Sequence, residues 1–167
     1  MLPADSQSKD LKSAIARFHA SAAAASADEA LLLPAWREGD WERLFQFTSI
    51  RNVQSGHALI QQGEADRTLY FVLRGTLEII VRSNDGISMG TVAQIKAGSV
   101  LGELAFFDGG TRSAASWAVS ECDVAAMTPD QYSAFEASNP ALARDLLFAL
   151  GRILAKRLRQ TNARVVR

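Results

Sequence analysis

The sequence predicts an α+β domain: a small antiparallel β-barrel or jelly roll, an N-terminal helical segment, a short helix between strands and a C-terminal helix pair. Two observations support this fold class. Between Thr48 and Met127, apolar residues recur with a period of two and glycines separate the runs, which is typical of many short strands. On either side of that segment, the apolar spacing becomes that of helices.

The N-terminal segment predicts one amphipathic helix over residues 8–25. Leu11, Ile15 and Phe18 recur at spacings of four and three, which places them on one helix face. The end of this helix is rich in alanine, which favours helix but offers little area to bury. We therefore expect residues 1–34 to be a loosely attached helix or a linker.

A second short helix and a series of strands follow. Residues 36–47 favour a helix whose first turn Asp40 could cap. Arg74-Gly75 predicts a hairpin between the third and fourth strands, Asn84-Asp85-Gly86 a turn before the fifth, and Ser120-Glu121 a turn that pairs the last two. The runs that predict strands cover residues 50–53, 58–60, 70–73, 77–81, 87–95, 115–119 and 122–127.

Two helices close the chain. Thr128 supplies a capping hydroxyl and Pro129 a favourable first residue for one helix. Asn139-Pro140 opens the second helix, which carries a broad apolar stripe. We expect a β domain with flanking short helices over residues 35–138 and a long helix over 139–167, acting as a lid or a dimer helix. The stripe consists of Leu142, Leu146, Leu147, Leu150, Ile153, Leu154 and Leu158.

Composition excludes several classes of protein. The formal net charge is zero, so no global field favours nucleic acid or an anionic membrane. No apolar run approaches the roughly 18 residues of a spanning helix, and residues 1–10 lack the features of a signal peptide, so we expect a cytoplasmic protein without membrane insertion. The single cysteine, Cys122, is expected to be a small core residue on a strand.

An enzyme is not expected. The enzymatic alternative is a metal-dependent jelly-roll enzyme of the cupin type, which needs clustered histidines and carboxylates on strands. The sequence contains only His19, in the N-terminal helix, and His57, at an exposed turn. No nucleophile, base and orienting group can be assembled around either histidine, so we expect neither a catalytic site nor a metal site.

The segment 102–116 carries the most chemistry. Residues 103–107 are long enough for one helical turn directly after a glycine, and the first N–H groups of such a turn have no helical partner, so they can bind an anion. Gly109-Gly110 turns the chain back, which can return Arg112 to the same place. A guanidinium beside free amides suits a phosphodiester, and Glu103 can accept from sugar hydroxyls. The alternative is a Glu103–Arg112 ion pair that only ties a surface loop.

This segment resembles the phosphate-binding cassette of the cyclic-nucleotide-binding family, which includes catabolite-activator regulators, protein kinase A regulatory subunits and cyclic-nucleotide-gated channels. The family pattern of Gly-Glu-Leu/Ile-Ala followed by Arg-Ser/Thr/Ala-Ala is matched at residues 102–105 and 112–114. Upstream, residues 62–66 and 70–75 resemble the family's glycine-marked strand pair. The likeness covers about residues 35–162 and implies a non-catalytic sensor domain with a phosphate-cassette helix.

The resemblance implies a role for each matching residue, with cAMP or, second, cGMP as the ligand and no other cofactor. Glu103 is expected to accept from the ribose 2′-hydroxyl and Arg112 to pair with the exocyclic phosphate oxygens. Val100 and Leu101 are expected to line the sugar side. The other members of the phosphate cradle are the amides of Gly102, Leu104, Ala105 and Ala114, together with Ser113.

Selection of the base is left open by the sequence. A hydroxyl at Ser113 fits either a syn guanine, as in channel-like domains, or the adenine of catabolite-activator-like domains. With one extra helical turn, Thr161 and Asn162 take the places of the family's Thr-Ser pair, which reaches the base. Counting without that turn brings Ile153 or Arg157 to the base instead.

The last helix also bears on partners. The family's transcription factors continue into a helix-turn-helix, which this sequence does not show, so we expect no direct contact with nucleic acid. The basic residues of the last helix are interpreted as a solvated face. They are Lys156, Arg157, Arg159, Arg164 and Arg167. A ligand-free dimerising or docking module of the same fold is the alternative function, and an effector protein or domain would receive the signal. A homodimer could form through Leu147, Leu150, Leu154 and Leu158.

Overall fold

Eight strands and five helices make up the part of the chain that the computed structural model describes, residues 4–24, 30–82 and 89–165. The helices are α1 (Ala4–Ala24), α2 (Glu38–Phe45), α3 (Glu103–Asp108), α4 (Pro129–Ser138) and α5 (Pro140–Val165). The strands are β1 (Ser49–Val53), β2 (Ala58–Ile60), β3 (Leu69–Arg74), β4 (Thr76–Arg82), β5 (Met89–Lys96), β6 (Val100–Leu101), β7 (Ala115–Ala118) and β8 (Cys122–Met127).

The strands form two four-stranded antiparallel sheets, one in the order β1-β8-β3-β6 and the other in the order β2-β7-β4-β5. The α+β class and the jelly roll predicted from the sequence are confirmed. Of the two shapes that the sequence left open, the structure has the jelly roll of two separate sheets, because no strand pairing joins them among the described residues.

The predicted hairpin at Arg74-Gly75 is wrong. β3 pairs with β6 and β8, whereas β4 pairs with β5 and β7, so the two strands lie in different sheets. Gly75 has a φ of 90° and lies against Glu121 O and Cys122 Sγ, where a side chain has no room. The turn at Ser120-Glu121 likewise connects the two sheets instead of pairing β7 with β8. The predicted turn at 84–86 lies outside the described residues.

Both faces of β3 are covered, which explains its unbroken apolar sequence. One face packs among the helices, and the other packs against the second sheet. Phe71 belongs to the helical side and Val72 to the inter-sheet side, as alternation along a strand requires. Cys122 is fully buried between the sheets, as expected.

The N-terminal helix α1 is part of the packed core. Phe18 is 0% exposed, and its ring centroid lies 5.3 Å from that of Trp41 and 6.2 Å from that of Phe71. The end of α1 also lies against Gly98, where a Cβ would meet the backbone of Ala22. The expected loose attachment is therefore wrong for this helix, because its apolar face is buried. The division into 1–34, 35–138 and 139–167 stays a prediction.

Local signals set the starts of α2 and α4. Asp40 caps the first turn of α2 by accepting from Arg37 N at 2.9 Å. Thr128 Oγ1 accepts from Gln131 N at 3.3 Å, and Pro129 is the first residue of α4, as predicted.

No helix in the described segments is long and apolar enough to span a bilayer.

The long helix α5 presents two different apolar faces. Its inward face is buried against the core through Ala143, Leu146, Leu150 and Ile153. On the outward face, Phe148 is 69% exposed and Leu158 62% exposed. The predicted stripe is therefore divided, because its first half covers this chain's own core.

Candidate functional site

A cavity of about 380 Å³ lies between the second sheet, α3 and the end of α5. Alternate side chains of β4 and β5 form one wall, and the turn from β6 into α3 and the end of α5 form other parts of the lining. Its lining residues are Ile60, Ile79, Val81, Ala93, Ile95, Leu101, Gly102, Glu103, Leu104, Ala105, Arg112, Ser113, Ala114, Ala115, Ser116, Arg157, Gln160 and Thr161.

Gly102 makes the turn from β6 into α3 possible. Its φ is 85°, in the left-handed region, and a Cβ there would meet Arg112 Nη1 at 2.5 Å and Thr68 O at 2.7 Å. Only glycine fits both the conformation and the space. The cassette predicted from the sequence therefore has a short helix, Glu103–Asp108, directly after this glycine.

Arg112 is buried at the base of the cavity, with 3% of its surface exposed. Its Nη1 donates to Gly102 O at 3.1 Å, and its Nη2 donates to Thr68 O and to Asp66 Oδ2, both at 2.6 Å. The guanidinium also lies 5.6 Å from the centre of the Tyr70 ring. Its Nε is buried without a hydrogen-bond partner among the described residues. One donor of a fixed cation therefore remains unsatisfied beside the cavity.

Asp66 is the counter-charge that holds Arg112. Burial raises the pKa of this carboxyl, but hydrogen bonds from Arg112 and Thr68 outweigh burial and lower the pKa from 3.8 to about 2. The Thr68 hydroxyl donates to Asp66 Oδ1 at 2.7 Å, so the carboxylate is itself oriented. Asp66 thus stays ionised at neutral pH and fixes the guanidinium in place.

Glu103 is 4% exposed and is paired with Arg157 of α5. Arg157 also donates from Nη2 to Val100 O at 3.0 Å, so one side chain ties the distal part of α5 to the cassette. Glu103 and Arg112 therefore have separate partners and are not paired with each other. The alternative of a simple Glu103–Arg112 tie does not describe this site.

The structure brings most of the predicted site residues to one cavity. Leu101, the cassette residues 102–105, residues 112–114 and Thr161 all line it. Val100 does not, because neighbouring strand residues face opposite sides and its side chain packs in the helical core. Asn162 does not line it either and is exposed on α5.

Several lining residues were missed by the sequence reasoning. The wall residues of β4 and β5 had a visible signal, the period-two alternation, but only strand register shows which alternate set faces the cavity. Arg157 lies one helical turn before Thr161, and the ungapped count had pointed to it or to Ile153, which is buried in the core. Ser116 had no signal that set it apart from ordinary polar residues. Asp66, which contacts Arg112 but does not line the cavity, lies in the family-like run 62–66 without a role of its own in that resemblance.

The site combines fixed donors and a fixed acceptor with an apolar wall. Such an arrangement suits a ligand that carries an anionic group, hydroxyls and a flat apolar part. Within the described residues, no group of three or more His, Cys, Asp or Glu side chains is placed to hold a metal ion. The fold and the cavity together define a domain that binds a small organic anion.

Sequence comparison identifies the family. The profile described as "Cyclic nucleotide-binding domain" matches residues 50–139. The chain belongs to this family, which confirms the resemblance noted in the sequence. A cyclic nucleotide is accordingly the class of ligand to expect.

Curated relatives agree with this membership. The chain is 31% identical over 117 residues to the "cAMP-activated global transcriptional regulator CRP" of Salmonella typhimurium, covering 70% of this chain and 53% of that protein. It is 31% identical over 107 residues to the "CRP-like cAMP-activated global transcriptional regulator" of Mycobacterium tuberculosis, covering 64% and 46%. The chain thus spans about half the length of the curated relatives it matches.

Solved structures share the fold. A cyclic nucleotide-binding domain from Methylobacillus flagellatus has a TM-score of 0.73 at 24% identity, covering 81% of this chain and 75% of that chain. The catabolite activator protein of Thermus thermophilus has a TM-score of 0.72 at 24% identity, covering 81% and 62%. The c-di-GMP responsive regulator CLP of Xanthomonas campestris has a TM-score of 0.70 at 25% identity, covering 78% and 64%.

Proposed function

We propose that the cavity binds one 3′,5′-cyclic purine nucleotide, cAMP in preference to cGMP, and that occupancy is signalled through α5. One observation carries this proposal: the two charged cassette residues, Glu103 and Arg112, are both almost completely buried and both line the same cavity. Buried charges are costly unless they are paired, and here each has a partner while keeping a polar atom for a ligand.

The cyclic phosphate binds at Arg112. Its unpartnered Nε–H is a donor for an exocyclic phosphate oxygen, and charge-assisted bonds of this kind are among the strongest available. The first amides of α3, at Leu104 and Ala105, have no partner in a preceding helical turn. With Ser113 and the Ala114 amide, they complete the cradle around the phosphate.

The ribose binds at Glu103. A carboxylate has two oxygens and about four acceptor positions, so Glu103 can keep its contact with Arg157 and still accept from the 2′-hydroxyl. Arg157 then neutralises the carboxylate from the side of α5. Glu103 would thus recognise the sugar and also hold α5 through Arg157.

The choice of cAMP is supported by the curated relatives. The curated relatives are described as cAMP-activated, although a structural relative at 25% identity is described as c-di-GMP responsive. Gln160 and Thr161 line the α5 side of the cavity, where their polar side chains can contact the edge of a purine. Ser113 does not distinguish adenine from guanine.

Calorimetric titration with cAMP, cGMP, c-di-GMP and linear 5′-AMP tests this function. We expect one site per chain, a micromolar or tighter dissociation constant for cAMP, weaker binding of cGMP and no measurable binding of 5′-AMP. At a hundredfold excess over the dissociation constant, cAMP should stabilise the fold by about 2.7 kcal/mol. We expect the nucleotide to be recovered intact, as for a domain that binds its ligand without converting it. No heat and no thermal shift with any cyclic nucleotide at millimolar concentration would refute the proposal.

We further propose that two copies of the chain form a homodimer through α5. The interface would use a different stripe of this helix from the leucine stripe predicted from the sequence. Of the residues predicted for the interface, Leu150 is buried in this chain's own core and Leu147 packs against that core, which removes both from an interface. The exposed positions have heptad spacing, alternating three and four, and their small residues allow two helices to approach closely. This exposed stripe consists of Phe148, Gly151, Ala155, Leu158 and Asn162.

Sedimentation of the whole chain tests the dimer. Leu158→Lys places a charge within the exposed stripe and should convert the dimer into a monomer. Ala137→Lys adds the same charge at an exposed position of α4 and should leave the dimer intact. A monomer in the unsubstituted chain, with and without cAMP, would contradict a role for α5 as a dimer helix.

A further inference from the structure

Ser116 is a buried hydroxyl in an otherwise apolar part of the cavity wall. It is 1% exposed, whereas its neighbour Trp117 faces the opposite side of β7 and is exposed. Its Cα partners on the two adjacent strands are Ile60 of β2 and Ile79 of β4. Because all three residues line the cavity, the hydroxyl lies between two apolar side chains that face the ligand.

Among the residues that the structure describes, Ser116 Oγ has no hydrogen-bond partner. A buried hydroxyl without a partner destabilises a fold, and alanine would occupy the same position without that penalty. The position therefore does not serve stability. A polar group kept in an apolar wall is the usual way in which a binding pocket fixes the orientation of a ligand.

The place of Ser116 along the wall identifies the part of the ligand that it meets. Ser113 belongs to the phosphate cradle, and three residues of extended chain reach at most about 10 Å beyond it. The phosphate is held at Arg112 and the sugar at Glu103, so the purine is the part of the nucleotide left for this wall. The flanking isoleucines suit the flat face of a base, and the hydroxyl suits its edge.

We propose that the Ser116 hydroxyl donates a hydrogen bond to an unprotonated ring nitrogen of the bound purine, which makes Ser116 a specificity-determining residue. This inference rests on the proposed function, since it needs a cyclic purine nucleotide in the cavity. A site built around such a donor discriminates against analogues that lack the acceptor, because the buried donor then stays unpaired.

A double-mutant cycle between protein and ligand tests the contact. The unsubstituted chain and Ser116→Ala are titrated with cAMP and with 1-deaza-, 3-deaza- and 7-deaza-cAMP, in each of which one ring nitrogen is replaced by C–H. We expect Ser116→Ala to bind cAMP about three- to tenfold more weakly. One deaza analogue should weaken binding to the unsubstituted chain by a similar factor and have no further effect on Ser116→Ala.

Ser120→Ala is the matched control. Ser120 lies in the turn after the same strand, outside the cavity, and its Oγ accepts from Thr76 N at 3.1 Å. We expect this variant to lose stability and keep its affinity, whereas Ser116→Ala without ligand should unfold at the same or a higher temperature and lose affinity. These opposite patterns separate recognition of the ligand from folding.

Three results are decisive. Equal affinities of Ser116→Ala and the unsubstituted chain for cAMP overturn the inference while leaving the proposed function in place. A loss of affinity that is coupled to none of the three nitrogens also overturns it, because the hydroxyl then does not contact the ring. Failure of the unsubstituted chain to bind any cyclic nucleotide overturns the proposed function itself.

Discussion

Substitution of Gly102 by alanine tests the central feature of the site, the close packing of a left-handed turn against Arg112. Gly56 provides the control, because its φ of 80° is similar to the 85° of Gly102, but a Cβ at Gly56 would meet nothing within 4 Å. The left-handed conformation costs about 1–2 kcal/mol for a residue with a Cβ. Gly56→Ala should therefore lower the free energy of unfolding by that amount and leave affinity for cAMP unchanged.

Gly102→Ala carries a second cost. The added Cβ would lie 2.7 Å from Thr68 O, a backbone atom that cannot rotate away, and 2.5 Å from Arg112 Nη1. The guanidinium must move, which breaks at least one of its bonds to Gly102 O and Thr68 O. Hydrogen bonds of a charged group contribute about 1.5–3 kcal/mol each, so the total loss should be about 2.5–5 kcal/mol.

Urea unfolding followed by tryptophan fluorescence measures the two losses of stability, and calorimetry measures affinity. We expect Gly102→Ala to bind cAMP at least tenfold more weakly, because Arg112 no longer presents its donors to the phosphate. Equal losses of stability in the two variants, with equal affinities for cAMP, would refute the argument that Gly102 is required by its contact with Arg112.

Three further predictions concern the charges and α5. Arg112→Lys keeps the charge but not the planar set of donors, so calorimetry should show roughly a ten- to hundredfold loss of affinity; affinity near that of the unsubstituted chain would place the phosphate elsewhere. Because the pKa of Asp66 falls from 3.8 to about 2 on folding, its carboxylate stabilises the fold above about pH 4 and ceases to do so as the pH falls towards 2. The stability advantage over Asp66→Asn, measured by urea unfolding, should therefore be smaller at about pH 3 than at about pH 5, and equal advantages would contradict the pairing with Arg112. Hydrogen exchange should show residues 152–165 more protected with cAMP than without it; equal protection, with binding confirmed, would make α5 a static support.

Sequence alone predicted those parts of the fold that local rules determine. The cassette depends on a glycine, a short helix and a returning arginine within one segment, and the structure places all three as expected. The start of α4 depends on Thr128 and Pro129, whose preferences act over a single turn. Such features need no knowledge of distant residues.

Local sequence signals could not predict which strands pair with each other. A glycine turn between two apolar runs has the same sequence signal whether it closes a hairpin or carries the chain from one sheet to the other. Gly75 carries the chain from one sheet to the other. β3 pairs with β8, about fifty residues later in the sequence, and this pairing depends on burial of both faces of β3. The same long-range register decides that Ser116 faces the cavity and that Asp66 reaches Arg112.

The two halves of the cavity differ in how they can change over evolution. The cradle is defined by backbone geometry at Gly102 and by a network of bonds around Arg112, so almost any substitution there disturbs several contacts at once. The opposite wall consists of single side chains on β4 and β5, such as Ile79 and Ala93, which face each other across the two strands. Each can be exchanged without moving the cradle. Proteins with this fold can therefore retain the cradle for a cyclic phosphate. New preferences for the base can arise through single substitutions in the wall.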